Sequence, residues 1–157
     1  MPRKYTSTAK FLKPDPRCGS LLASKFINSL MLDGKKSTAQ TIFYDAFDIL
    51  AQKVPAEEPL DVFATAIANV KPMVEVRSRR VGGATLQVPH EIKRDRQQAL
   101  AFRWLLIAAR KKKGKPMARR LAEELYDAYN KQGTAYTTRE NTHKMAEANK
   151  AYAHFAW

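Results

Sequence analysis

The stretch PLDVFATAIANVKPMVEVRSRRVGGATLQV, residues 59–88, contains the change of pattern that decides the fold. As far as Val70, apolar residues recur every three or four positions, which is the period of a helix with one buried face. From Val74 onward, apolar and polar residues alternate as in a strand, and Gly82-Gly83 interrupts the alternation. The stretch therefore predicts a helix followed by a β-hairpin at about residues 73–89.

The alternation within the predicted hairpin separates two faces. We expect the apolar residues to share one face: Val74, Val76, Leu86 and Val88. This face either completes the core or belongs to a hairpin with a functional role. The other face is expected to carry Glu75, Arg77 and Arg79. Arg80 lies near the tip, and we expect the tip to have a ligand-binding role. We also expect the connecting loop to be longer than a tight two-residue turn. The tip residues are Val81, Gly82 and Gly83.

Helical periodicity continues on both sides of this stretch. Ser20 is expected to cap a first helix from Leu21 to about Leu32, and a second helix is predicted from about Ser37 to Lys53. After the hairpin, a capping-box pattern of Asp95 and Gln98 predicts a fourth helix that runs to about Lys112. Its predicted inward face is Leu100, Trp104, Ile107 and Ala108.

Two more helices are predicted towards the C-terminus. Lys115-Pro116 opens the fifth helix, which is expected to end near Gly133. A second capping box, Thr137 and Glu140, predicts a sixth helix that runs to about Ala151. The predicted fold is mainly α, with about six packed helices, one protruding β-hairpin and a basic N-terminal arm. Residues 20–157 are expected to form a single helical domain.

Residues 1–19 are predicted to be an extended arm, because Pro14-Asp15-Pro16 blocks helix formation and no apolar period is present. The arm is either an unstructured terminus or a basic segment that becomes ordered on RNA, and the sign of the remaining chain favours the second interpretation. Its predicted RNA-binding residues are Arg3, Lys4, Lys10, Lys13 and Arg17.

The charge of the chain points to a polyanionic partner. It carries 28 Lys and Arg against 15 Asp and Glu, a net charge of +13, which favours RNA, DNA or an acidic membrane surface. Residues 96–122 contain nine bases and no acid, whereas residues 33–61 contain three bases and six acids. This segregation predicts a dedicated polyanion-binding face with a neutral or acidic back.

The densest candidate site lies where the predicted fourth and fifth helices meet. Cations at a helix C-terminus can simply interact with the helix dipole, but that accounts for only one or two of them. We expect the turn at Gly114 to bring two basic groups together into one phosphate-binding patch. The patch comprises Arg110, Lys111, Lys112, Lys113, Lys115, Arg119 and Arg120.

Other chemistry finds little support in the sequence. Cys18 is the only cysteine, and the three histidines do not have the spacing of metal ligands, so a surface or stacking role is favoured for His143. C-terminal aromatics such as Tyr152 and Trp157 belong either to the core or to a base-stacking surface. No secretory signal, membrane segment, metal, cofactor, small-molecule substrate or catalytic cluster is expected, so the chain is predicted not to be an enzyme.

Several long motifs carry a family resemblance. They are DGKKSTA at residues 33–39, VRSRRVGGAT at 76–85, QVP at 87–89, RWL at 103–105 and THKMAEAN at 142–149. With these motifs the chain closely resembles bacterial-type ribosomal protein seven of the small subunit, from the tail to the last residue. It departs from the family chiefly in a tail that is less rich in arginine.

The resemblance implies a six-helix structural protein that binds the 3′ major domain of 16S-type ribosomal RNA and nucleates assembly of the subunit head. It also implies a place near the exit-site transfer RNA and the messenger path, beside ribosomal proteins nine and eleven. The expected location is a cytoplasmic ribosome, with an organellar ribosome as the alternative. The remaining predicted RNA-binding residues are Lys35, Lys36, Arg77, Arg79, Arg80, Lys93, Arg94, Arg96, Arg139, His143 and Lys144.

Two rival functions stay open at this point. A DNA-binding architectural protein would use the same cations, but it would bind duplex DNA and folded RNA equally well at matched salt. An RNA-modifying enzyme would need a cofactor pocket or a catalytic cluster, and the sequence contains no motif for either.

Overall fold

The computed structural model of the chain describes residues 11–155. These residues form six α-helices, one antiparallel hairpin and a short 3₁₀ helix. The elements are α1 (Leu21–Leu30), α2 (Lys36–Lys53), α3 (Pro59–Val70), β1 (Val74–Val81), β2 (Ala84–Glu91), α4 (Arg94–Lys111), α5 (Met117–Tyr129), α6 (Gly133–Ala148) and the 3₁₀ helix (Lys150–Phe155). The predicted mainly α fold with a protruding hairpin is confirmed. None of the described helices is both long enough and apolar enough to cross a membrane.

Four helices meet at one aromatic side chain, Phe26 of α1. Its ring centroid lies 5.2 Å from those of Phe63 and Phe102, and 5.8 Å from that of Phe43. All four rings are buried, so α1, α2, α3 and α4 share a single core. The pairs of Phe26 with Phe63 and Phe102 are edge-to-face, and such pairs add about 0.5–1.5 kcal/mol beyond area burial. Truncation of Phe26 to alanine should therefore cost about 3–5 kcal/mol.

The predicted helix cap at Ser20 is confirmed. The Ser20 hydroxyl accepts hydrogen bonds from the backbone N–H groups of Leu22 and Ala23, at 3.2 and 3.5 Å. Pro59 is the first residue of α3, where its missing N–H costs nothing. α1 ends at Leu30, two residues earlier than predicted, because Asp33 and the following glycine adopt left-handed backbone angles that reverse the chain.

The described part of the predicted arm, residues 11–19, is anchored on the helices. Asp15 is 2% exposed, and its carboxylate accepts hydrogen bonds from the Tyr44 hydroxyl at 2.8 and 3.0 Å. The backbone N–H groups of Arg17 and Cys18 donate to the same carboxylate. Ser24 of α1 donates to the carbonyl of Lys13 at 2.7 Å. This part of the arm is therefore attached to α1 and α2.

The hairpin turn is tighter than predicted. Val81 pairs with Ala84, so Gly82 and Gly83 alone form the turn, with φ angles of +56° and +87°. Two successive residues at positive φ are typical of the tight turn whose twist matches the flanking strands, and glycine adopts them without steric cost. The expectation of a longer loop was wrong.

The predicted apolar face of the hairpin was also wrong. The register pairs Arg77 with Val88 and Arg79 with Leu86, and paired residues lie on the same face of a sheet. Leu86 and Val88 therefore share the face of Arg77 and Arg79, whereas Val76 lies on the opposite face with Pro89. A shift of one residue in register moves a whole strand's side chains to the other face, and the two-residue turn fixes that register.

α4 begins one residue before Asp95, so the predicted capping box was wrong. Lys93 is the N-cap, and Asp95 lies in the first turn, where its negative charge interacts favourably with the helix dipole. The inward face is also rotated: Leu100 and Ala108 are buried as predicted, but Trp104 is half-buried and Ile107 is 44% exposed. The side chains buried in their place are Ala101, Phe102, Leu105, Leu106 and Ala109.

The boundary between the last two helices also differs from the prediction. α5 ends at Tyr129, and α6 begins at Gly133, four residues before the expected cap Thr137. The Thr137 hydroxyl donates to the Gly133 carbonyl within the helix, so it does not act as a cap. A Cβ at Gly133 would lie 2.9 Å from the Asp127 Cβ, which explains the glycine. α6 ends at Ala148, three residues before the predicted end.

Candidate nucleic-acid interface

Glu75 organises the base of the hairpin. Its side chain is 12% exposed and accepts hydrogen bonds from Arg77 of the same strand, at 2.7 Å, and from Arg96 of α4, at 3.1 Å. Burial alone would raise the pKa of Glu75, but the hydrogen bonds and charges of the two arginines lower it on balance. The carboxylate is therefore ionised at neutral pH and ties the hairpin to the first turns of α4.

A second tie joins the hairpin to α6. The backbone N–H of Met73 donates to His143 Nε2 at 3.2 Å. His143 was predicted to contact RNA, but its Nε2 atom is used as an acceptor for the chain entering β1. The two ties fix the hairpin base from two sides, whereas Arg80, Gly82 and Gly83 at the other end are exposed.

The turn between α4 and α5 contains a buried ion pair. The Lys112 ammonium lies 3.0 Å from the carboxylate of Glu124, whose side chain is fully buried, and 3.4 Å from that of Asp127. Burial would lower the pKa of Lys112, but the two carboxylates raise it on balance. Glu124 also accepts a hydrogen bond from the Ala135 N–H at 2.9 Å, so it caps the start of α6. Lys112 thus connects three helices.

Arginines complete the joint between α4 and α5. Arg120 donates to the carbonyls of Lys112 and Arg110, at 2.6 and 3.4 Å. Arg110 donates to the carbonyl of Leu30 at the end of α1, at 3.2 Å. The predicted approach of the two basic groups around Gly114 is thus confirmed. Several of their N–H groups donate to backbone carbonyls at helix ends, which have no hydrogen-bond partner within the helix. These cations therefore also stabilise the fold.

Other cations of the same turn face solvent. Lys111, Lys113 and Arg119 are exposed, and none of them has a salt bridge within residues 11–155. Lys115 is exposed but pairs with Glu123 at 2.5 Å, and that hydrogen bond lowers the pKa of the Glu123 carboxyl. The turn therefore contains both cations that hold the fold and cations that are available to a partner.

The remaining predicted residues divide in the same way. Lys13, Lys35, Lys36, Lys93, Arg94 and Lys144 are exposed. Arg17 pairs with Asp48 at 2.5 Å and lies over the ring of Tyr44. Arg139 is 19% exposed and donates to the Asn69 carbonyl and to Glu140. Its contact with Asn69 holds α6 against α3. Arg3, Lys4 and Lys10 lie outside the described residues.

Sequence reasoning missed the acidic residues that organise these cations. Glu124 falls on the apolar stripe of α5, between Leu121 and Ala128, and a carboxylate at a core position is a detectable signal of a buried ion pair. Glu75 gives a weaker signal, since it lies two residues before Arg77 on the same strand face. In residues 11–155 no three His, Cys, Asp or Glu side chains are grouped so that they could hold a metal ion.

A family of known proteins matches almost the whole chain. Residues 2–150 match the family model described as ribosomal protein S7p/S5e. The small ribosomal subunit protein uS7 of Rhodopirellula baltica is 59% identical over 98% of this chain and 99% of its own length. Those of Desulfotalea psychrophila and Thermotoga petrophila are 53% and 52% identical, and each match covers at least 99% of both chains. The chain therefore belongs to the ribosomal protein S7p/S5e family, as a small-subunit ribosomal protein of the bacterial type.

Proposed function

We propose that this chain binds the RNA of the small ribosomal subunit and acts there as a structural constituent with no enzymatic activity. The observation that carries the proposal is a set of exposed cations on neighbouring elements of one fold. They lie at the hairpin tip, at the start of α4 and at the α4–α5 turn: Arg80, Lys93, Arg94, Lys111, Lys113 and Arg119. The family membership supports ribosomal RNA as the polyanion.

Affinity in this proposal comes from the RNA backbone. Each phosphate that a lysine or arginine neutralises releases condensed counterions, so binding weakens steeply as salt rises. The deep, narrow major groove of an RNA helix excludes side chains, so specificity comes from the shape of a folded junction and from unpaired bases. The anchored hairpin base suits shape recognition, because it holds the exposed tip at a defined angle to α4 and α6.

Within the subunit, we propose that the RNA target is the 3′ major domain and that binding nucleates assembly of the head. The expected neighbours are ribosomal proteins nine and eleven, with the hairpin near the exit-site transfer RNA and the messenger path. The proposed compartment is the cytoplasm, and bacterial relatives at 52–59% identity support it. No metal, cofactor or small-molecule substrate is needed for this role.

A gel-shift series tests the proposal. It compares the isolated 3′ domain of small-subunit RNA with unrelated RNA of equal length and with duplex DNA, all at one salt concentration. We expect the 3′ domain to bind at least about a thousandfold more tightly, which is the lower end of the usual span between specific and non-specific binding. Equal binding to all three would contradict the proposal and would support a DNA-binding architectural protein.

A further inference from the structure

A groove of about 880 Å³ lies beside the anchored N-terminal segment. Its walls are residues 11–16, one face of α1, the start of α2 and the first turns of α4. The volume falls within the roughly 300–1,000 Å³ typical of binding sites for small organic groups. Because three helices and the segment anchored by Asp15 form the walls, the shape of the groove is set by the packing of the core.

The groove combines an apolar floor with a cationic rim. The apolar surface that a ligand can reach on this floor comes from the exposed Pro14 and Ala99, and the buried side chains of Ile27 and Phe102 lie beneath it. The rim carries Lys13, Lys25 and Lys36, which are exposed and form no salt bridge within the described residues. Two acids also line the groove. The carboxylate of Asp15 is occupied by the hydrogen bonds described above, and Asp95 is exposed at the start of α4.

Two amide side chains line the groove from different helices. Asn28 of α1 is exposed and Gln98 of α4 is half-buried. Neither amide is hydrogen-bonded to another described residue. An amide offers one acceptor oxygen and two N–H donors, which match the mixed donors and acceptors on the edge of a nucleobase.

We infer that this groove binds one unpaired nucleotide of single-stranded RNA. The base lies on the apolar floor, its edge is hydrogen-bonded by Asn28 and Gln98, and the flanking phosphates are neutralised by the rim lysines. Unpaired bases are the usual target of sequence-specific RNA recognition, because their edges are accessible. The inference rests on the proposed RNA binding and adds a base-reading site, to which Lys25 contributes a cation that the sequence did not single out.

The test separates base reading from charge. One variant combines Asn28→Ala with Gln98→Ala, and a second replaces Lys13, Lys25 and Lys36 with alanine. A matched control combines Asn141→Ala with Gln52→Ala, which removes one exposed asparagine and one exposed glutamine from elsewhere in the chain. Each is titrated with the isolated 3′ domain RNA over a range of salt, and base-specific chemical probing identifies the nucleotides that the protein protects.

The amide variant should bind about tenfold more weakly, with an unchanged salt dependence and with one base that loses its protection. The lysine variant should flatten the salt slope by roughly 0.7 for each lost contact to a single strand. The control should behave as the unmodified chain. Melting temperatures should agree among all of them, since the replaced side chains are not part of the core.

Three results would overturn the inference. The amide variant could keep full affinity and full base protection. Alternatively, only the lysine variant could lose affinity, which would mean that the groove contacts the RNA backbone and not a base. An oligoglutamate peptide could also compete for the groove as well as an oligonucleotide of equal length, which would indicate an acidic peptide as the ligand. In each case, a preserved preference for the 3′ domain would leave the proposed function intact. Loss of that preference in the unmodified chain would instead remove the proposed function itself.

Discussion

The hairpin and the α4–α5 turn are both rich in arginine and lysine, but they use these residues differently. In the hairpin, one partly buried carboxylate, Glu75, holds two arginines at the base and leaves the tip exposed. In the turn, Lys112 enters the protein to meet the buried Glu124, and exposed lysines flank it on both sides. The comparison shows that a run of like charges contains residues of two kinds, those that hold the fold and those that face a partner.

The largest difference should appear between two adjacent lysines. Lys112→Met keeps the aliphatic stem but leaves the Glu124 charge buried without its partner, so we expect a loss of about 2–3 kcal/mol in the free energy of unfolding. Lys113→Met removes an exposed charge and should change stability by less than about 0.5 kcal/mol. Urea unfolding of both variants measures the difference. Equal stabilities would mean that Lys112 does not support the fold.

A smaller effect should separate two glutamates at the hairpin base. Glu75→Gln weakens the charge-assisted hydrogen bonds to Arg77 and Arg96 and should cost about 1 kcal/mol in the free energy of unfolding. Glu91→Gln makes the same change of charge at an exposed position of β2 and should cost almost nothing. RNA binding provides a second measurement. The Glu91 variant should bind slightly more tightly. The Glu75 variant should bind more weakly despite its equal gain in positive charge, because one of the two ties that fix its hairpin is weakened.

The smallest effect is a pH dependence that differs between the two regions. The pKa of Glu75 is lowered in the fold, so its contribution to stability is complete above the ordinary value near 4.5 and is lost as pH falls through the folded value. The pKa of Lys112 is raised, so its contribution is complete below the ordinary value near 10.5 and is lost as pH rises through the folded value. Unfolding of the Glu75→Gln and Lys112→Met variants across pH should therefore show a shallower acid limb in the first and a shallower alkaline limb in the second. The opposite assignment would contradict the two ion pairs.

Features that depend on neighbouring residues could be predicted from the sequence. The period of apolar residues gives the six helices, as in α3, and the change of period after Pro72 gives the hairpin. The acid-free run from Arg96 to Ala122 gives the cationic turn. Each of these signals is local, since it depends only on the spacing of residues that are close together in the sequence.

Features that depend on distant contacts could not be predicted in this way. The faces of the hairpin follow from its register, which a single residue of loop length reverses. The cap of α6 is supplied by Glu124 of the preceding helix, and the local pattern of Thr137 and Glu140 does not reveal this contact between helices. The cations that remain unpaired also depend on contacts between elements, as with Lys112 and Glu124, which are twelve positions apart.

The salt dependence of RNA binding tests the central claim most directly. One variant replaces the exposed Lys111, Lys113 and Arg119 with alanine, and Lys53→Ala, on α2, serves as the control. With the 3′ domain RNA, the slope of log affinity against log salt should flatten by roughly 0.7–0.9 for each lost phosphate contact in the first variant and remain unchanged in the control. A triple variant that keeps both its fold and the full slope would contradict the account, because the exposed cations of the turn would then make no contact with RNA.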